Sequence, residues 1–244
     1  NTCKTAICNI YLAHSKNLIK TSDFDGALAK LNETITVAEG YGAGDTAEEA
    51  KKLIPQVYMQ KGNTAYKAKD MAGAIAAYTK VLEINPANGD AYIVLGRALA
   101  ATGKFSEAVA AYETAAANGE EADAKKYLSN LFLKKAQACA KAKDNQGCID
   151  NALKANSYLE NANAYKLAAS AAQRMNDNAK CIEFYEKYLE IKPDANDAAG
   201  VTFTIAALHQ QGGNNAKAIE YYEKVASDPQ YGTGAQEQLK VLKK

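Results

Sequence analysis

A chain of 244 residues that is 48% hydrophobic and 23% charged can bury a core and lies outside the disordered class. Its 29 basic and 28 acidic residues leave a net charge of +1, so no global field draws it to nucleic acid or an anionic membrane. No apolar run reaches the roughly 18 residues of a membrane span, and 49 alanines against four prolines predict a nearly all-helical chain.

The chain opens on Asn1 without a methionine, which favours an exported bacterial protein, periplasmic or envelope-associated, over a cytoplasmic one. Residues 8–40, with Tyr11, Phe24, Ala27 and Leu31, have the apolar spacing of a helix pair. Gly40-Tyr41-Gly42-Ala43-Gly44-Asp45 reads as a flexible loop, followed by a long helix over 47–69. A strong pattern then occupies 58–86: Tyr58, Gly62, Ala65-Tyr66, Ala74, Tyr78, Val81 and Pro86. It returns 34 residues later as Tyr92, Leu95-Gly96, Leu99, Gly103, Phe105, Ala108, Tyr112 and Ala115. A lengthened helix is expected over 120–143, leading into a weaker copy with Phe132, Ala136, Cys139 and Cys148. A third strong copy runs from Tyr165 through Ala169, Cys181 and Tyr185 to Pro193, and a last one carries Ala206, Gly213, Ala218 and Tyr222. The chain closes on Gln236–Lys244, where Leu239 and Leu242 alternate with polar residues and lysines as in a terminal capping helix.

These positions resemble the tetratricopeptide repeat (TPR) family. The resemblance implies an all-α, right-handed solenoid of helical hairpins, in one domain over 1–244. Its repeats fall at about 8–40, 55–87, 89–120, 129–160, 162–195 and 199–231, with a capping helix at about 232–244. The physical basis is that a pair of short helices cannot bury its apolar stripes alone. Hairpins must stack, and glycine or alanine must stand where helix axes approach to roughly 8–10 Å. Enlarging Gly62 or Gly96 is therefore expected to overpack a crossing.

No catalytic, cofactor-binding or metal-ligating set is expected. The two histidines, His14 and His209, are separated by most of the chain, and the five cysteines form no CxxC pair. Cys148 and Cys181 stand where other repeats have alanine and read as buried thiols, with a Cys139–Cys148 pairing left open. The acid pairs Glu48-Glu49 and Glu120-Glu121 are expected at helix starts, against the macrodipole. Asp144-Asn145-Gln146-Gly147 reads as a tight turn rather than a calcium loop.

Proteins of this family bind partners along the concave face lined by first helices. The resemblance therefore implies a groove of Gln56, Gln60, Asn63, Tyr66, Lys67, Arg97, Lys134, Gln137, Lys141, Lys166, Gln173 and Arg174. Among the inward positions Lys and Arg outnumber acids, of which Asp90 is the one example, so an acidic peptide or protein partner is expected. The amides suit extended peptide backbone. The clamp by which some family members hold chaperone C-terminal carboxylates would fall on Met59, Asn63, Val94, Asn130 and Lys134. Only Asn63 and Lys134 keep its chemistry, so chaperone tails are not the expected ligand. The reading is thus a non-catalytic interaction scaffold. An envelope-complex component docking through hairpin edges stands as the alternative, and an enzyme is disfavoured.

Overall fold

The computed structural model describes residues 2–244, except for the side chain of Thr2. Among these residues there are thirteen α-helices and no strand. They fall into two compact units, 1–127 and 128–244. The first holds α1 (Thr2–Lys20), α2 (Phe24–Gly40), α3 (Gly44–Lys67), α4 (Met71–Ile84), α5 (Gly89–Ala101), α6 (Phe105–Ala117) and the start of α7 (Glu121–Lys141). The second holds the rest of α7, α8 (Asn145–Tyr158), α9 (Ala162–Arg174), α10 (Asn178–Ile191), α11 (Ala198–Gln211), α12 (Asn215–Lys224) and α13 (Gly232–Leu242).

In the turns before α2, α4, α8, α10 and α12 a residue in the left-handed region precedes a helix-capping Asp or Asn, while before α6 it precedes Lys104, which makes no side-chain cap bond. Ser22, Lys69, Lys143 and Asn176 take this conformation at φ 57–63°, and Gly103 and Gly213 take it at 78° and 75°. At the next position Asp23, Asp70 and Asp144 accept a hydrogen bond from the N–H three residues on, at 2.9–3.0 Å. Asp177 and Asn214 do the same at 3.1 and 3.2 Å. Each satisfies one of the donors that a helix start leaves open. Of the 144–147 segment, read from the sequence as a tight turn, only Asp144 lies outside helix, as the cap; 145–147 open α8 and the turn itself falls at 142–143.

Two expectations need correction. Of the 40–45 loop only residues 41–43 lie outside helix, because Gly40 ends α2 and Gly44 begins α3, and Gly42 alone uses a positive φ, 70°. The extra residues before Ala74 are therefore absorbed mainly as helix, α3 having 24 residues. With α3 starting at Gly44, Glu48 and Glu49 lie past its first turn. They pair instead with Lys51 at 3.0 Å and Lys16 at 2.6 Å.

The cores have the small-against-large pattern expected of stacked hairpins. Tyr78 of α4 is 1% exposed and packs with Ala74 and Ala98, its ring filling the space that Gly62 leaves on α3. Tyr112 of α6 occupies the equivalent place at Gly96 of α5. In the second unit a larger core joins Ala168, Ala169, Ala171 and Ala172 of α9 to Cys181, Phe184 and Tyr188 of α10 and Ile205 of α11. There α13 closes over Ala206, Ala218 and Tyr222 through Ala235, Leu239 and Leu242.

Candidate functional site

Helix α3 carries Gln56, Gln60, Asn63 and Lys67 at steps of four, three and four residues, which places them on one exposed stripe. The upper part of the stripe borders a cleft of about 240 Å³. Asn63, Tyr66 and Lys67 line it from α3, Tyr78 from α4, and Val94 and Arg97 from α5. The Arg97 guanidinium lies 5.0 Å from the centre of the Tyr66 ring and 5.8 Å from that of Tyr127. Tyr127 in turn stacks on Tyr112 at 5.4 Å and 7°. One cation is thereby held in a ladder of three tyrosines. The Tyr78 hydroxyl donates to Asn63 Oδ1 at 2.9 Å, which leaves the Asn63 NH₂ as the group available to the cleft. Burial raises the pKa of both phenols, Tyr78 and Tyr112, with Arg97 opposing the rise, so both stay protonated.

Gln56 and Gln60 border a different cleft of about 380 Å³, with Lys52, Pro55 and Met59 beside them and Asn85 and Asn88 opposite. The oxygens of Asn85 and Asn88 accept from the backbone N–H groups of Ala87 and Ala91, which fixes these side chains with their NH₂ groups as donors.

The other six candidates belong to the second unit. Lys134, Gln137 and Lys141 lie along α7 and are exposed. Lys166 of α9 is neutralised by an ion pair with Asp197, which also accepts from the Tyr188 hydroxyl at 2.5 Å. These two partners hold the Asp197 carboxyl below its usual range, Lys166 contributing first. Gln173 is exposed, and Arg174 donates to Ser170 O at 3.1 Å and to Ala140 O at 3.5 Å, near the C-terminus of α7.

A third cleft, of about 550 Å³, is lined by Glu186, Leu189, Glu190, Pro193, Thr202, Tyr221 and Lys224, of which the sequence singled out Pro193 alone, and that as a repeat position rather than a site. Its charges are answered within the chain. Tyr221 donates to Glu186 at 2.5 Å, Lys187 pairs with Glu190, and Lys224 pairs with Glu220.

Two buried thiols, Cys148 and Cys181, are poor nucleophiles. Burial raises Cys148, and it pushes Cys181 up to about 11. Cys139 and Cys148, whose pairing the sequence left open, are both free thiols. His14 is exposed on α1, and His209 of α11 stacks on Tyr221 at 5.6 Å.

The family resemblance implied Asn63, Tyr66, Lys67 and Arg97 as separate inward positions, and the structure brings them into one cleft. The contribution of Tyr127 was missed. It lies at the start of the lengthened α7, where the repeat register gives no position to read.

Tetratricopeptide repeat models match residues 65–131, 162–195 and 201–227, together just over half of the chain. The chain belongs to the tetratricopeptide repeat family. No curated protein matches it. Among solved structures, MamA is 22% identical, over 75% of this chain and 96% of that one, with a TM-score of 0.43. The TPR domain of P58(IPK) is 16% identical over 97% and 64%, at 0.42. YrrB, described as a TPR protein with an unusual peptide-binding site, is 18% identical over 74% and 91%, at 0.39.

Proposed function

We propose that the chain is a non-catalytic scaffold that holds a peptide or protein partner against its first helices, and that the partner is acidic. The observation that carries this reading is the α3 stripe with Arg97. Exposed amides and two cations, Lys67 and Arg97, stand there with no carboxylate paired to either cation among the described residues. Ion pairs elsewhere consume charge within the chain, including that of Lys166. Donors left without acceptors fit the carbonyls and acidic side chains of an extended segment.

The test is capture of a partner from extract of the source organism by the native chain and by an Arg97→Glu, Lys134→Glu, Arg174→Glu variant. A partner held by the first and lost by the second is expected. Equal recovery would refute the groove.

Docking through a hairpin edge as part of a larger assembly is the second reading. It draws support from Ile7 and Ile10, 39% and 67% exposed on one side of α1. A partner insensitive to the charge reversals and lost on Ile7→Ser with Ile10→Ser would favour it.

A further inference from the structure

We infer that the cleft between α3, α4 and α5 receives an oxyanion carried on an acidic side chain of the bound peptide, with the edge of the Arg97 guanidinium as its anchor. The inference rests on the scaffold reading and adds a ligand group and the residues that select it.

Three observations converge. The cleft offers three donor groups, the Asn63 NH₂, whose oxygen accepts from Tyr78, the Lys67 ammonium and the Arg97 guanidinium, together with the Tyr66 hydroxyl, which can donate or accept. No Asp or Glu lines it, and two positive charges in a concave site with no internal counter-charge call for an anion. The contrast with the 550 Å³ cleft is direct, because there each carboxylate and ammonium already has a partner.

The second observation is the ladder. Rings on Tyr66 and Tyr127 lie against the guanidinium, and Tyr127 is itself stacked on the buried Tyr112. Contact between the guanidinium carbon and the two rings takes up none of its N–H groups, which can make two parallel bonds to an oxyanion. Holding the plane beforehand lowers the entropy lost when those bonds form.

The third is size. About 240 Å³ lies below the roughly 300–1,000 Å³ of sites that enclose whole small ligands, and suits one side chain of a longer segment. Carboxylate and phosphorylated side chains share the required chemistry, and separate arms of the test distinguish them.

The experiment is an NMR titration of the full chain with four capped amino-acid amides: N-acetyl-glutamate, N-acetyl-phosphoserine, N-acetyl-glutamine and N-acetyl-lysine. Saturable shifts of the Arg97 Nε–H and Asn63 NH₂ signals are expected with glutamate or phosphoserine, with dissociation constants on the order of millimolar. The stronger of the two identifies the source of the oxyanion. Glutamine and lysine should leave these signals in place.

Arg97→Lys keeps the charge and removes the fork, and should weaken acid binding by roughly 10-fold or more. Tyr127→Leu should weaken it several-fold, and Arg174→Lys should not change it. Acid-induced shifts no larger than those of glutamine would overturn the inference, and that comparison uses only the native chain. Equal affinity in Arg97→Lys would also overturn it.

The two readings fail separately. A partner captured through the groove while the acids leave Arg97 and Asn63 unmoved would remove the oxyanion site and leave the scaffold standing. An acid bound at Arg97 with no partner lost in the charge-reversed variant would remove the scaffold reading alone.

Discussion

Replacing Gly62 with alanine tests whether close helix approach sets the hairpin geometry. A Cβ built on Gly62 would stand 2.4 Å from Cε1, 2.7 Å from Cδ1 and 3.0 Å from Cζ of Tyr78, against an ordinary contact of 3.4–4 Å. Tyr78 cannot simply turn away, since it is 1% exposed and its hydroxyl is fixed on Asn63. Relief requires α3 and α4 to separate by about an ångström, or the ring to shift and give up that hydrogen bond.

Overpacking of this kind costs about 1–3 kcal/mol, and losing the hydrogen bond adds ~0.5–1.5 kcal/mol. Alanine's helix preference over glycine returns about 1 kcal/mol. The expected net effect is a destabilisation of about 1–3 kcal/mol. Gly40→Ala, with nothing within 4 Å of the added carbon, is the control and should be neutral or slightly stabilising. Native-state hydrogen exchange across α3 and α4 is the suitable assay, because it reports local opening where two units need not unfold together. In a Tyr78→Leu background the cost of Gly62→Ala should largely vanish. Stabilisation of the native background by Gly62→Ala, to the extent seen at Gly40, would refute the crossing argument.

Two further outcomes follow from the second unit. Lys166 and the Tyr188 hydroxyl lower the folded-state pKa of Asp197, so its contribution to stability is present above the unfolded carboxylate value of ~3.9 and fades as pH falls through the lower folded value. Denaturation curves between pH 7 and pH 2 should therefore show a steeper acid loss for the native chain than for Asp197→Asn. Equal slopes would mean that the Lys166–Asp197–Tyr188 cluster is not linked to folding. Alkylation at pH 8 followed by mass spectrometry should label exposed Cys3 first and leave Cys181, buried with its thiol pushed up to about 11, unlabelled until the chain unfolds. Early labelling of Cys181 would contradict the packing of α9 on α10.

The hairpins were legible because their signal is steric and repeats. Gly62 and Tyr78, or Gly96 and Tyr112, lie sixteen residues apart in the first two strong copies and meet in both. The glycines around residue 42 misled for a related reason. Composition marks flexibility, yet only Gly42 adopts a conformation that needs glycine, while Gly40 and Gly44 are helical. The acids at 48 and 49 were misplaced with them, since their role depends on where α3 begins, and a helix start without a side-chain cap, as at Ala43, leaves little trace in sequence.

The candidate site was legible by residue and not by arrangement. Helical spacing puts Asn63 and Lys67 on one stripe, but it is silent on which cations are already matched. Lys166 and Arg97 look alike as inward basic positions. One faces Asp197, supplied by the loop before α11, and the other faces rings from α3 and α7. That difference comes from elements distant in sequence, so a count of inward charge overstates the field in the second unit and understates the order at Arg97. Selectivity for an acidic partner should accordingly concentrate at Arg97, where the cation lies over two rings and lacks a carboxylate. At Lys166 a ligand would first have to displace Asp197.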